Sequence, residues 1–191
     1  MAPSIEHHPL KPFLPAHARI LMLGSFPPSR KRWCMDFFYP NYINDMWRIW
    51  GLIRFNDKNY FVDEENKCFR REHIIRFLEQ EGIALYDTAT AVIRTTNTAS
   101  DKDLQVVEQT DVAALLRQLP DCKAVVTTGQ KATDLLSELF SITKQPKVGG
   151  FVEFTFETRT MRLYRMPSSS RAFPMAVERK AEYYRPMFSK S

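Results

Sequence analysis

The chain has 191 residues, 44% of them hydrophobic and 26% charged, a balance that suits one folded domain with a sizeable core and excludes wholesale disorder. The net charge is +5, concentrated as +4 over residues 19–54 and +4 over 151–191, with an acidic middle of −3 over 55–150. No apolar run reaches the roughly 20 residues that span a bilayer, and the first residues lack the continuous apolar stretch of a signal peptide.

Residues 1–18 are Pro-rich and read as an irregular arm, followed by a single domain over 19–191. Arg19 to Gly24 is a continuous apolar run closed by glycine, the pattern of a strand buried on both faces. Ser25-Phe-Pro-Pro28 cannot extend it, because proline removes ladder donors. A helix is predicted from near Asn44 through Ile53, and another from Glu72 to Gln80, stopped by Gly82. Ile83 to Asp87 predicts a second buried strand, and the polar stretch from Arg94 to Asp103 a loop. Thr110 to Leu119 predicts a helix closed by Pro120, Lys123 to Thr128 a third strand, and Gly129 to Phe140 a helix. Phe151–Phe156 and Met161–Met166 alternate as a strand pair across Glu-Thr-Arg-Thr, and Met175–Tyr184 closes the chain as a helix. Strands alternating with helices predict a three-layer α/β/α sandwich around a largely parallel sheet.

Ligands of open α/β sheets bind beyond the carboxyl ends of the strands. Here those ends carry Ser25 and Phe26, then Arg30, Lys31, Arg32 and the aromatics 33–42; Asp87 with Thr88 and Thr90; and Met166-Pro-Ser-Ser-Ser-Arg171. Serine hydroxyls and backbone N–H groups donate to phosphates, and cations beside aromatics hold a strand while a base stacks. Each feature also has a plain reading: aromatics as core, Pro-Ser-Ser-Ser as a loop, Asp87 as a cap. The four histidines show no zinc spacing, and three scattered cysteines suit reduced thiols of a cytoplasmic protein. No GxxxxGK[ST], GxGxxG or Gly-x-Ser-x-Gly motif occurs.

Four segments in order resemble the uracil-DNA glycosylase superfamily, and within it the mismatch-specific and hypoxanthine-DNA glycosylase branch. They are Leu23-Gly-Ser-Phe-Pro-Pro28, Tyr39-Pro-Asn-Tyr-Ile-Asn-Asp-Met-Trp47, Gly82-Ile-Ala-Leu-Tyr-Asp87 and Arg165-Met-Pro-Ser-Ser-Ser-Arg171. The resemblance implies a monofunctional DNA glycosylase of base excision repair, hydrolysing the bond to a deaminated base (uracil or hypoxanthine) flipped from DNA. Its partner is DNA with a damaged or mismatched base, and it implies a monomer without metal, cofactor or membrane contact. Tyr39 stacks on the base, the Ser25 and Phe26 N–H groups meet its carbonyl, and Asn44 positions the water, with Asp87 the second choice. Ser168, Ser169 and Ser170 grip phosphates, and Arg171 neutralises one or fills the vacated stack. The chain departs from its relatives by carrying Phe26 where they have a water-holding Asp or Asn, and Met166 where several have His or Asn. Phe26 favours an alternative, a non-catalytic nucleic-acid or damage-binding protein on the same scaffold; a flavodoxin-like small-molecule enzyme is a third reading.

Overall fold

The computed structural model describes residues 2–96 and 103–188. Four parallel strands, β2 (Ile20–Gly24), β5 (Ile83–Asp87), β8 (Ala124–Thr128) and β10 (Arg159–Met166), form the central sheet with antiparallel β9 (Phe151–Phe156). The order is β5-β2-β8-β10-β9. Leu21, Met22, Leu23, Ile83, Ala84, Leu85, Val125 and Val126 are all fully buried, so consecutive side chains on both faces are covered. That is why these strands read as unbroken apolar runs, and it is the condition a parallel sheet between helical layers demands. The α/β architecture predicted above is the one observed.

Among the described residues, the helices around this sheet are α1 (Met46–Phe55), α2 (Arg71–Glu81), α3 (Val112–Arg117), α4 (Gln130–Leu139) and α5 (Val177–Tyr184). Gly82 ends α2 in the left-handed region (φ 72°), as its position after the last periodic residue predicts. The Asp111 carboxylate caps α3 by accepting from the Ala114 N–H. At the other end of α3, the Arg159 guanidinium donates to the carbonyls of Leu116, Leu119 and Cys122, tying the helix end and the turn after it to β10. Most aromatics of residues 33–50 are core: Phe37, Phe38, Trp47 and Trp50 are buried, so the plain reading holds for them.

One prediction is corrected. The N-terminal arm is not irregular, because β1 (Ile5–His7) pairs antiparallel with β6 (Ala89–Arg94), which pairs with β7 (Leu104–Gln109). Farther along, Phe13 exchanges both backbone hydrogen bonds with Leu85, covering the open edge of β5 that a sheet must otherwise protect. The predicted loop from Arg94 to Asp103 is the connection of the β6–β7 hairpin, narrowed at its base by the Thr95 N–H donating to Asp103 O; its residues 97–102 lie outside the described residues. Ala89, Val92 and Leu104 of this second sheet form a small core of their own with Phe26 and Val106. Central β6 is partly buried while β1 and β7 are mostly exposed, and the sheet packs on segments remote in the chain, so neither an apolar run nor strict alternation marks it. A short third pair, β3 (Val62–Asp63) with β4 (Cys68–Phe69), completes the strands.

Candidate active site

The carboxyl ends of four central strands finish in line: Gly24 lies opposite Asp87, Leu23 opposite Thr127, and Thr128 opposite Met166. The chain runs from β2 outward to β5 and then returns to β8 on the other side of β2, so the strand order reverses there. A ligand crevice belongs at such a switch point, and a cleft of about 280 Å³ opens there. It is small beside the usual range of about 300–1,000 Å³ for ligand pockets, which suits one planar group better than a dinucleotide.

The first wall is the Gly24–Pro28 turn. A Cβ on Gly24 would stand 2.7 Å from Asp87 Oδ1, 3.4 Å from the Tyr39 hydroxyl and 3.6 Å from Thr128 Oγ1. Only glycine lets the strand end come this close to a carboxylate. Phe26 is half-buried on the cleft, with its ring edge-on to His8 at 5.3 Å.

The second wall is the aromatic loop. Trp33 Nε1 donates to Pro28 O, the Cys34 N–H to Pro40 O and Trp47 Nε1 to Phe38 O, so three bonds set its path. Tyr39 is held at φ 50°, a region L side chains seldom occupy, with its hydroxyl 3.4 Å from Thr128 Oγ1. Such strain, at this position, keeps a half-buried ring beside the cleft. Asn44 also lines the cleft, but its Oδ1 accepts from the Met46 N–H at 2.9 Å at the start of α1. Its Nδ2 is therefore the end left to donate toward a ligand. Buried Arg48 donates to Tyr42 O and Asn44 O and lies over the Tyr42 ring. Desolvation, then Arg171, lower the Arg48 pKa from its ordinary value.

The third wall is the Ser-rich turn, and a buried ion pair joins it to α1. Lys180 is 0% exposed, and its Nζ donates to Asp45 Oδ2 at 3.0 Å and to Ser170 O at 2.9 Å. The Asp45 N–H donates to Ser169 O, and Arg171 Nε lies 3.3 Å from Asp45 Oδ1. Behind the turn, the Tyr184 hydroxyl donates to Pro167 O at 2.7 Å; complete burial raises its pKa well above the usual phenol value. The Ser168 and Ser170 hydroxyls accept backbone N–H groups of their own turn, keeping their protons for an acceptor in the cleft, while Ser169 is buried beneath them. Met166 is buried and does not line the cleft.

The cleft thus gathers Ser25, Phe26, Tyr39, Asn44, Asp87, Ser168, Ser169, Ser170 and Arg171, the residues to which the motif resemblance gives a role, whereas Arg30, Lys31, Arg32, Thr88 and Thr90 do not line it. Among the described residues, Asp87 is its one carboxylate and Arg171 its one cation. Sequence reasoning missed Thr128, the Asp45–Lys180 pair and His8, whose Nε2 lies 2.7 Å from Asp87 Oδ2. Only Thr128 carried a usable signal, as a hydroxyl at a predicted strand end. Among the described residues no three His, Cys, Asp or Glu gather to hold a metal ion, and no helix is long and apolar enough to cross a membrane.

No family model and no curated protein matches the chain. Among solved structures, it is similar to the solution NMR structure of "a putative Uracil DNA glycosylase" from Methanosarcina acetivorans, with a TM-score of 0.62 and 22% identity over 97% of each chain. At that identity the likeness establishes the fold: the chain has the α/β architecture of that protein along nearly its whole length.

Proposed function

We propose that this protein is a monofunctional DNA glycosylase that removes a deaminated base, uracil or hypoxanthine, from DNA. The observation that carries the reading is the meeting of four sequence segments, three of them in the +4 blocks, around one base-sized cleft. The name of the structural neighbour agrees with it, and the motif resemblance favours the hypoxanthine branch.

The chemistry follows from the groups present. A base leaves the stack and enters the cleft, where stacking on the Tyr39 ring is worth about 1–3 kcal/mol. The Ser25 and Phe26 N–H groups and Asn44 Nδ2 meet its carbonyl and ring edge. Water attacks C1′ as the C1′–N bond breaks, with the bonding pair leaving on the base. The water proton passes to the Asp87 carboxylate and then to the departing base anion, giving free base and an abasic sugar. An anionic Asp87 also opposes the positive charge that develops on the sugar. With Asn44 Oδ1 engaged by Met46, Asp87 is the acceptor for the water and Asn44 a donor that orients it or the base. Ser168, Ser170 and Arg171 hold flanking phosphates.

Duplexes carrying uracil, hypoxanthine, G·U or G·T, with protein in excess, test the proposal. Base release from at least one is expected, with Asp87→Asn slowing it by about 10²–10⁴-fold and Asn44→Ala by about 10²-fold. No release from any duplex overturns it. Phe26 supports a second reading, a damage-binding protein that excises nothing, which predicts salt-sensitive DNA binding with no free base.

A further inference from the structure

We propose that His8, carried by the N-terminal arm, is a positioning residue of this site: it fixes the Asp87 carboxylate so that one oxygen is committed and the other serves the cleft. This deepens the glycosylase reading and rests on it. The His8 side chain is 2% exposed, and its Nε2 stands 2.7 Å from Asp87 Oδ2. Pro9 has no N–H, so the next backbone donor is Leu10, whose N–H donates to His8 Nδ1 at 3.1 Å. A ring nitrogen that accepts carries no proton, so the ring proton sits on Nε2 and is donated to Asp87. The ring cannot turn away. It stacks on Tyr86 at 4.6 Å and meets the Phe26 edge at 5.3 Å.

The arm is anchored well enough to impose this geometry. The His8 N–H donates to Thr90 O, continuing the β1–β6 pairing, so the strand alternation turns His7 outward and His8 inward. Arg94 forks onto the Glu6 carboxylate and also donates to Pro27 O, joining β1, β6 and the first wall of the cleft. The Thr110 hydroxyl donates to Asp87 O, holding the backbone of the same residue. With Oδ2 occupied, Oδ1 is left above Gly24 on the cleft wall, near the Tyr39 and Thr128 hydroxyls. A buried His–carboxylate pair adds little to stability over apolar packing. Its acceptor here is a carboxylate lining the cleft, which ties the arrangement to chemistry.

Variants of both residues and one spectrum test this. His8→Phe keeps the ring packing and removes the donor; His8→Gln retains an N–H able to reach Asp87. His8→Phe should slow single-turnover base release by about 10–100-fold, the range for loss of an orienting partner, with DNA affinity unchanged within about twofold and His8→Gln recovering most of the rate. In an Asp87→Asn background, His8→Phe should add no further loss, since the two residues act as one unit. In the two-bond ¹H–¹⁵N spectrum, the His8 ring should show a slowly exchanging Nε2–H that is lost in Asp87→Ala. Normal turnover by His8→Phe, or an additive loss on Asp87→Asn, overturns the His8 assignment while leaving the glycosylase reading in place. A His8 ring titrating freely with solvent overturns it too. A wild-type protein that releases no base overturns both, even where the spectrum retains the Nε2–H signal.

Discussion

Lys180→Met is the sharpest test of how the Ser-rich turn is held. The lysine is fully buried on α5, and its ammonium answers both Asp45 Oδ2 and Ser170 O. Methionine fills the stem volume and removes both donors. Asp45, only 4% exposed, then keeps one side-chain partner, Arg171 Nε at 3.3 Å, whose own side chain is largely in solvent. Removing one member of a buried ion pair costs about 3–5 kcal/mol, because the remaining charge stays desolvated. For a chain of this length that lowers Tm by about 6–20 °C, out of a total stability of about 5–15 kcal/mol. Replacing both partners, as Asp45→Asn with Lys180→Met, should recover much of the loss, since no charge is then stranded. Urea unfolding at constant m reads the stability, and binding to a duplex with an abasic site reads the turn, with weaker affinity expected for the single variant. A single variant within about 1 kcal/mol of wild type would refute the argument, for then the pair does not hold the turn. So would a double variant no better than the single.

Two further predictions come from close contacts and from thiols. Gly24→Ala places a methyl 2.7 Å from Asp87 Oδ1, and the carboxylate cannot swing aside without losing its 2.7 Å bond to His8; base release should be lost while stability falls by only about 1–3 kcal/mol. Wild-type rates from this variant would show that the carboxylate is not fixed. Burial pushes Cys34 up to about 12, helped by the neighbouring Cys68 thiol, and Cys122 up to about 11. Both are neutral thiols at pH 8, so alkylation followed by peptide mapping should leave them unlabelled in the folded protein and label them after denaturation. Rapid labelling of native Cys34 would contradict its raised pKa.

Much of the fold is legible before any coordinates because burial and local pattern coincide. Ile20–Gly24, Ile83–Asp87 and Ala124–Thr128 are predicted to within one residue, since a strand covered on both faces has to be apolar at every position. The β9–β10 pair shows itself by alternation, and α2 by its periodicity and its glycine stop. The second sheet is invisible for the opposite reason. Ala89–Arg94 is only partly buried and Leu104–Gln109 mostly exposed, and beyond their own hairpin they rest on Ile5–His7 and Phe26, which no window of neighbouring residues contains.

The site divides along the same line. Residue type and strand-end position single out Asp87 and the Ser168–Arg171 turn, because strand termini of a parallel sheet are where polar groups can reach a ligand, and the motif resemblance adds Tyr39 and Asn44. Tertiary structure decides what each atom does. A lysine on an amphipathic helix reads as solvent-facing, and only the packing of α5 against α1 buries Lys180 on Asp45. Asn44 reads as a water-holder until Met46 claims its oxygen, and His8 reads as part of a loose arm until β1 carries it to Asp87, 79 residues away. Hydrophobic burial is a sum over neighbours in the chain and can be read there. Hydrogen bonds depend on distance and angle between particular atoms, and those exist only once remote segments have met.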